Sequence, residues 1–165
     1  MNPKVPRHFL VTETHDAAFL AGGLFRRVFG QPIPDYPSHF VCLHRGDDGT
    51  LATAGYVHFS AFESVHLVGG FVVDRELYRR LPPGHLEELR PSLTIGEHLM
   101  REAIRALPPS NAVFAFMADA RSIEVNERVG YGRTHLANLY AFWRRDLSEE
   151  AKRAIAERVL RVTPF

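Results

Sequence analysis

Two strand-length apolar runs, Leu51 to Phe62 and Val65 to Asp74, are separated by only two residues, Glu63 and Ser64. A link that short cannot carry a parallel crossover, so it forces the two runs to lie side by side and antiparallel. A third run, Phe40 to His44, reaches them through the turn Arg45-Gly-Asp-Asp-Gly49. Together the three read as an antiparallel meander. Next comes a helical pattern from Ile95 to Leu107, with Ile95, Leu99, Ala103 and Leu107 on its inner face and Glu97, Arg101, Glu102 and Arg105 outward. A short apolar strand, Val113 to Met117, follows it. Strand, helix and strand make a right-handed parallel crossover. The expected class is therefore α/β with a mixed sheet.

The remaining segments fit around that frame. Phe9 to Thr12 reads as a strand. His15 to Phe29 reads as a helix with Thr14 as N-cap and Asp16 in its first turn. Its apolar stripe is Ala18, Phe19, Leu24, Phe25, Val28 and Phe29, and Gly30 stands where a helix stops. The stretch Gln31 to Pro37 is too proline-rich to be helix interior. Short helices are expected at Arg75 to Leu81 and His85 to Arg90, split by Pro82-Pro83-Gly84. Ala120 to Arg128 reads as a helix ending at Gly130, Thr134 to Arg144 as one long strand, and Ser148 as the N-cap of a helix to Arg161.

Composition narrows the class. The 165 residues suit one domain, 1–165, and 45% hydrophobic against 24% charged residues argues for a packed core. Twenty Lys and Arg against nineteen Asp and Glu leave a net charge of +1, which argues against a strongly basic nucleic-acid binder. With a single cysteine, Cys42, there is neither an internal disulfide nor a paired-cysteine zinc site. No leader pattern follows Met1, and no apolar run reaches the ~20 residues that span a bilayer. The expectation is a cytoplasmic protein without a membrane partner.

Two motifs carry a family resemblance. Asp119-Ala-Arg-Ser-Ile-Glu-Val-Asn-Glu-Arg-Val-Gly-Tyr131 looks like an N-x-x-A-x-x-x-Y-x-x-x-G-F segment, with Asp119, Ser122, Asn126 and Gly130-Tyr131 at the matching positions. Pro91-Ser-Leu-Thr-Ile-Gly-Glu-His-Leu-Met100 looks like a worn Q/R-x-x-G-x-G/A loop that keeps Gly96. Their order within strand, helix, three antiparallel strands, helix, strand, helix, strand resembles the GCN5-related N-acetyltransferase (GNAT) superfamily. The resemblance covers about Phe9 to Leu147. It leaves an insertion at about 75–90 and a C-terminal helix at about 148–161.

The resemblance implies a splayed parallel strand pair with acyl-CoA in its cleft. By that likeness, the cofactor-binding residues are Phe71, Val72 and Val73 for pantetheine, Thr94, Ile95, Gly96, Glu97 and His98 for pyrophosphate, and Asp119 and Ser122. A helix N-terminus can hold phosphate through backbone N–H groups alone. The same residues also fit a simple capping box from Thr94 to Glu97. Gly69-Gly70 marks either a bulge beside the reacting acyl group or a close packing contact. General-base candidates are Glu63, His66, His58 and His135, with His66 and Glu63 leading. Asn126 stands where the family commonly places an acidic Tyr. An amide can hydrogen-bond sulfur but cannot protonate it. Cys42 is read as a small buried hydrophobe.

The implied activity is acyl-CoA-dependent N-acyl transfer, most simply of acetyl from acetyl-CoA to an amine by direct attack, with acyl-CoA as co-substrate and no metal. The partners are acyl-CoA and an amine acceptor, without nucleic acid, and a homodimer is left open. The alternative is a catalytically inactive acyl-CoA-binding or protein-interaction domain on the same fold. A nucleic-acid reading rests only on Arg144-Arg145 and scattered Arg.

Overall fold

The computed structural model describes residues 6–163 and 165. The leaderless reading at Met1 falls partly on residues 1–5, outside the described residues. In chain order the elements are β1 (Phe9–Glu13), α1 (Ala17–Phe29), β2 (Ser38–Arg45), β3 (Leu51–Phe62), β4 (Val65–Val73), α2 (Arg75–Arg80), α3 (Pro83–Glu87), α4 (Ile95–Ala106), β5 (Ala112–Phe116), α5 (Ala120–Val129), β6 (Gly132–Arg133), β7 (Leu139–Trp143) and α6 (Glu149–Leu160). The sheet order is β1-β2-β3-β4-β5-β7-β6. β4 and β5 pair in parallel from Val65↔Ala112 to Val68↔Ala115, so the sheet is mixed, as expected. The chain divides into two compact units: residues up to His58 with Gly70–Ala106, and Phe59–Gly69 with Leu107–Phe165.

In the first unit, β1 and β2 pair antiparallel in register from Phe9↔His44 to Glu13↔Phe40. The core joins Ala17, Ala21, Leu24 and Phe25 of α1 to Val41, Tyr56 and Val72 of the strands. This corrects the expected α1 stripe. The buried positions 17, 21, 24 and 25 follow the helical repeat, while Phe19, two residues from Ala17, falls on the opposite side and is 82% exposed. Ala18, Val28 and Phe29 are exposed as well. The cap is Asp16 rather than Thr14: its carboxylate accepts the Phe19 N–H, and Thr14 Oγ1 accepts the Asp16 N–H. Gly30 closes the helix at φ 72°, a left-handed conformation suited to glycine. The helix expected at His85 to Arg90 starts earlier, at Pro83, because proline fits a first turn whose N–H would be unused anyway.

In the second unit, Val65, Leu67, Phe114, Leu139 and Ala141 of the strands pack with Ile155, Ala156 and Val159 of α6. Glu63 takes φ 50° in the two-residue link between β3 and β4. The long strand expected at Thr134 to Arg144 is instead a hairpin, in which β6 and β7 pair antiparallel around a turn. Thr134 Oγ1 bonds the Leu139 carbonyl and the Leu136 N–H, and Asn138 sits at φ 61°. Those local side-chain bonds compete with the strand ladder and turn the chain. Ser148 caps α6 through the Ala151 N–H, as read from the sequence.

Candidate functional site

The ladder between β4 and β5 ends at Val68↔Ala115, yet β4 runs on to Val73. Which backbone groups this extension leaves unladdered follows from the pleat. The Asp74 N–H bonds the Ala54 carbonyl on β3, and the Gly70 N–H bonds Nε2 of His58, also on β3. The Asp74 amide therefore faces β3, and by alternation that of Val73 faces the other edge. Val72 belongs to the first unit's core.

The Gly70 contact fixes a chain of hydrogen bonds. Because a backbone N–H can only donate, His58 Nε2 must accept, and the ring carries its proton on Nδ1. Nδ1–H then donates to the Tyr56 hydroxyl at 3.0 Å, which donates in turn to His39 Nδ1 at 2.7 Å. Protonating His58 would set an N–H against an N–H. Burial, and secondarily His39, lowers its pKa from 6.5 to about 4. Burial also lowers His39, against an opposing hydrogen bond to the Tyr36 backbone, and raises Tyr56. His58 is thus a fixed acceptor and not a general base, and the Gly70 N–H is already used. Gly70 itself is required by packing: a Cβ there would meet Phe25 Cε2 at 2.5 Å and His58 Cε1 at 3.0 Å.

The α4 start also resolves into named bonds. Thr94 Oγ1 accepts the Glu97 N–H, and the Glu97 carboxylate reaches back to the Leu93 N–H. This is the capping arrangement that the sequence left open beside the phosphate reading. Glu97, expected to face outward, is instead buried, because its carboxylate caps the chain and pairs with Arg101 at 3.0 Å. Ile95, Gly96 and His98 are buried too, and burial lowers the His98 pKa. The helical ladder begins with the His98 N–H on the Thr94 carbonyl, so the N–H groups of Ile95 and Gly96 precede it.

No protein-family model and no curated protein matches the chain. Among solved structures it is similar to YhhK from E. coli, assigned as an N-acetyl transferase and bound to coenzyme A, with TM-score 0.50 and 12% identity over 82% of this chain and 98% of that one. It also aligns with AtaTR bound with AcCoA (TM-score 0.44, 12% identity, 93% and 98% covered) and with a KacTA–DNA complex (0.45, 13%, 93% and 98%). The chain has the GNAT fold.

On that fold the other expected site residues belong to the second unit. Asp119 is the N-cap of α5, its carboxylate accepting the Ser122 N–H at 2.8 Å. That hydrogen bond lowers its pKa. Asn126 is buried and donates its amide to the Ser122 carbonyl at 2.8 Å, one turn back. Its Oδ1 is buried with no hydrogen-bond partner among the described residues. Glu63 pairs with Arg158 at 2.9 Å. His66 is buried on β4, its Nδ1 has no partner among the described residues, and burial together with Arg144 lowers its pKa. His135 lies in the β6–β7 turn, 3.5 Å from Glu157. Burial pushes the Cys42 thiol up to about 12, so it stays protonated and unreactive.

The sequence reading did not single out His39 and Tyr56 as a pair with His58. The available signal was Tyr56 and His58 two residues apart on an apolar strand, which puts both on one face. It also passed over a cluster that the GNAT fold assembles in its first unit: His8, His44, Asp47, His85 and Glu88. His8 and His85 stack at 3.7 Å with planes 9° apart, and His44 Nε2 lies 3.0 Å from His85 Nδ1. His8, Asp47 and His85 bring three ligand atoms within 4.8 Å of one another.

Proposed function

We propose that this chain binds an acyl-CoA along the β4 extension and transfers the acyl group, most simply acetyl, to an amine. The observation that carries this reading is the unladdered β4 edge beyond Val68, on a GNAT fold. We assign the backbone N–H groups of Phe71 and Val73 to the pantetheine amide and the thioester carbonyl. A backbone donor aimed at the thioester carbonyl stabilises the charge that builds there during attack. The Gly70 N–H, spent on His58, is not that donor. The backbone N–H groups of Ile95 and Gly96 are assigned to the pyrophosphate. YhhK, bound to coenzyme A, lends the ligand class its support.

In the reaction the amine nitrogen forms the new C–N bond, the C–S bond breaks, and the thiolate leaves with the electron pair. The amine's proton passes to a base. Of the residues considered, His66 has the chemistry for this step: a neutral ring with a free Nδ1. Glu63 is held by Arg158, and Asn126 can orient but not protonate.

Isotope-labelled protein titrated with acetyl-CoA tests the binding half. The Phe71 and Val73 amides should shift most on the β4 extension, and an absence of shifts at millimolar acetyl-CoA ends the proposal. Release of free CoA thiol with a panel of amines tests the chemistry, with His66→Ala expected to lower kcat. Asn126 at the position of the family's Tyr favours the second reading, an acyl-CoA-binding domain without turnover. Binding with no thiol release on any amine would establish it.

A further inference from the structure

The five-residue cluster in the first unit stands apart from the proposed acyl-CoA residues. Four chain segments build it. His8 directly precedes β1, His44 lies near the end of β2, Asp47 sits in the turn after β2, and His85 and Glu88 come from α3 and the residue following it. The turn is held by the Gly46 N–H on the Thr50 carbonyl and by Asp48, which accepts from both the Thr50 N–H and hydroxyl. Asp47 is left to face the histidines. The Arg45 N–H on the His8 carbonyl ties the strand ends together.

The hydrogen-bond count around His8 does not close with a neutral ring. Its Nδ1 is 2.8 Å from Glu88 Oε1, and its Nε2 is 3.2 Å from Asp47 Oδ1. A neutral imidazole has one N–H, so one of the two carboxylates faces a lone pair unless a cation occupies that nitrogen. Glu88 is the fixed partner: its other oxygen accepts the N–H groups of Arg7 and His8 at 2.8 and 3.1 Å. With the Nδ1 edge held by Glu88, the Nε2 edge of His8 faces Asp47 Oδ1, where a second proton or a metal ion satisfies the pair. His85 repeats the pattern, with Nδ1 at 3.0 Å from His44 Nε2 and Nε2 at 3.5 Å from Asp47 Oδ2.

We propose that His8 Nε2, His85 Nε2 and an Asp47 carboxylate oxygen form a Zn²⁺ site. Two atoms bound at 2.0–2.1 Å to one tetrahedral Zn²⁺ lie about 3.3 Å apart. His8 Nε2 lies 3.2 Å from Asp47 Oδ1 and His85 Nε2 lies 3.5 Å from Asp47 Oδ2, and one ligand atom from each of the three residues lies within 4.8 Å of the others. Glu88 and His44 act as outer partners that hold each ring with Nε2 presented. Two imidazoles and one carboxylate suit Zn²⁺ rather than Mg²⁺ or Ca²⁺, which take oxygen ligands. A cavity of about 270 Å³ lined by Arg7, His8, Arg45, Gly46, Asp47 and Gly49 adjoins two of the three ligands, and water or a small anion there would complete the shell. The proposal runs against the sequence expectation of no metal and does not depend on the acyl-CoA reading.

Metal-stripped full-length protein titrated with Zn²⁺, and separately with Co²⁺ for its visible absorption, tests the site. One ion per chain and the intense bands of four-coordinate Co²⁺ are expected. Asp47→Asn and His85→Gln should each weaken Zn²⁺ by at least ~100-fold, and Glu88→Gln by ~10–100-fold, the range for outer-shell partners. His15→Gln, an exposed residue outside the cluster, should change nothing. Failure of the wild type to retain one Zn²⁺ per chain after dialysis overturns the site, as does unchanged affinity in Asp47→Asn. Because Asp47 is on an exposed turn, that variant keeps the test decisive even if His85→Gln does not fold.

Discussion

His58 makes a sharp prediction about stability and pH. The folded ring accepts from the Gly70 N–H and resists protonation down to about 4, whereas the unfolded ring takes its proton near 6.5. Between those values the unfolded state binds more protons, so stability rises with pH across the window. The His58 contribution is complete above about 6.5 and is lost as pH falls towards about 4. Moving from 6.5 to about 4, at 1.36 kcal/mol per decade, amounts to about 3 kcal/mol. His39, His44, His66 and His98 are lowered too and act in the same direction. A difference measurement isolates His58. His58→Gln keeps an acceptor for Gly70 but does not titrate. Urea unfolding of both proteins at pH ~7 and pH ~4 should show the wild type losing about 3 kcal/mol more than the variant. Parallel pH dependences would refute the reasoning, and so would a His58 ring that titrates near 6.5 by NMR.

Gly70→Ala should cost about 1–3 kcal/mol in urea unfolding, because its Cβ would press on the Phe25 ring and on His58. Asp119→Ala should cost about 1 kcal/mol through loss of the α5 cap, with the acetyl-CoA affinity unchanged. Glu97→Gln should destabilise by about 1–3 kcal/mol, since it uncouples a buried carboxylate from Arg101 and weakens the Leu93 cap. Asn126→Tyr should lower the melting temperature, because the side chain is buried and a ring overfills its site. A thermal scan showing no loss would mean that the site has room.

Local chemistry in the chain determined the elements and their order. The two-residue Glu63–Ser64 link permits only an antiparallel neighbour, and the strand–helix–strand run from β4 to β5 suggested a parallel one, although β1–α1–β2, with the same order, pairs antiparallel. Gly30, Ser148 and Gly130 marked helix ends because capping is a property of a few adjacent residues. The α1 stripe, the buried Glu97 and the β6–β7 turn were not legible. Each depends on which face a distant element covers, or on a side chain winning a backbone partner from the ladder. The site residues divide in the same way. Spacing brought out Gly96, Asp119 and Asn126, but whether an N–H is free or spent is decided by partners far along the chain, as His58 decides for Gly70. His8, Asp47 and His85 share no motif, and only the pairing of β1 with β2 and the placement of α3 bring their ligand atoms within reach of one ion.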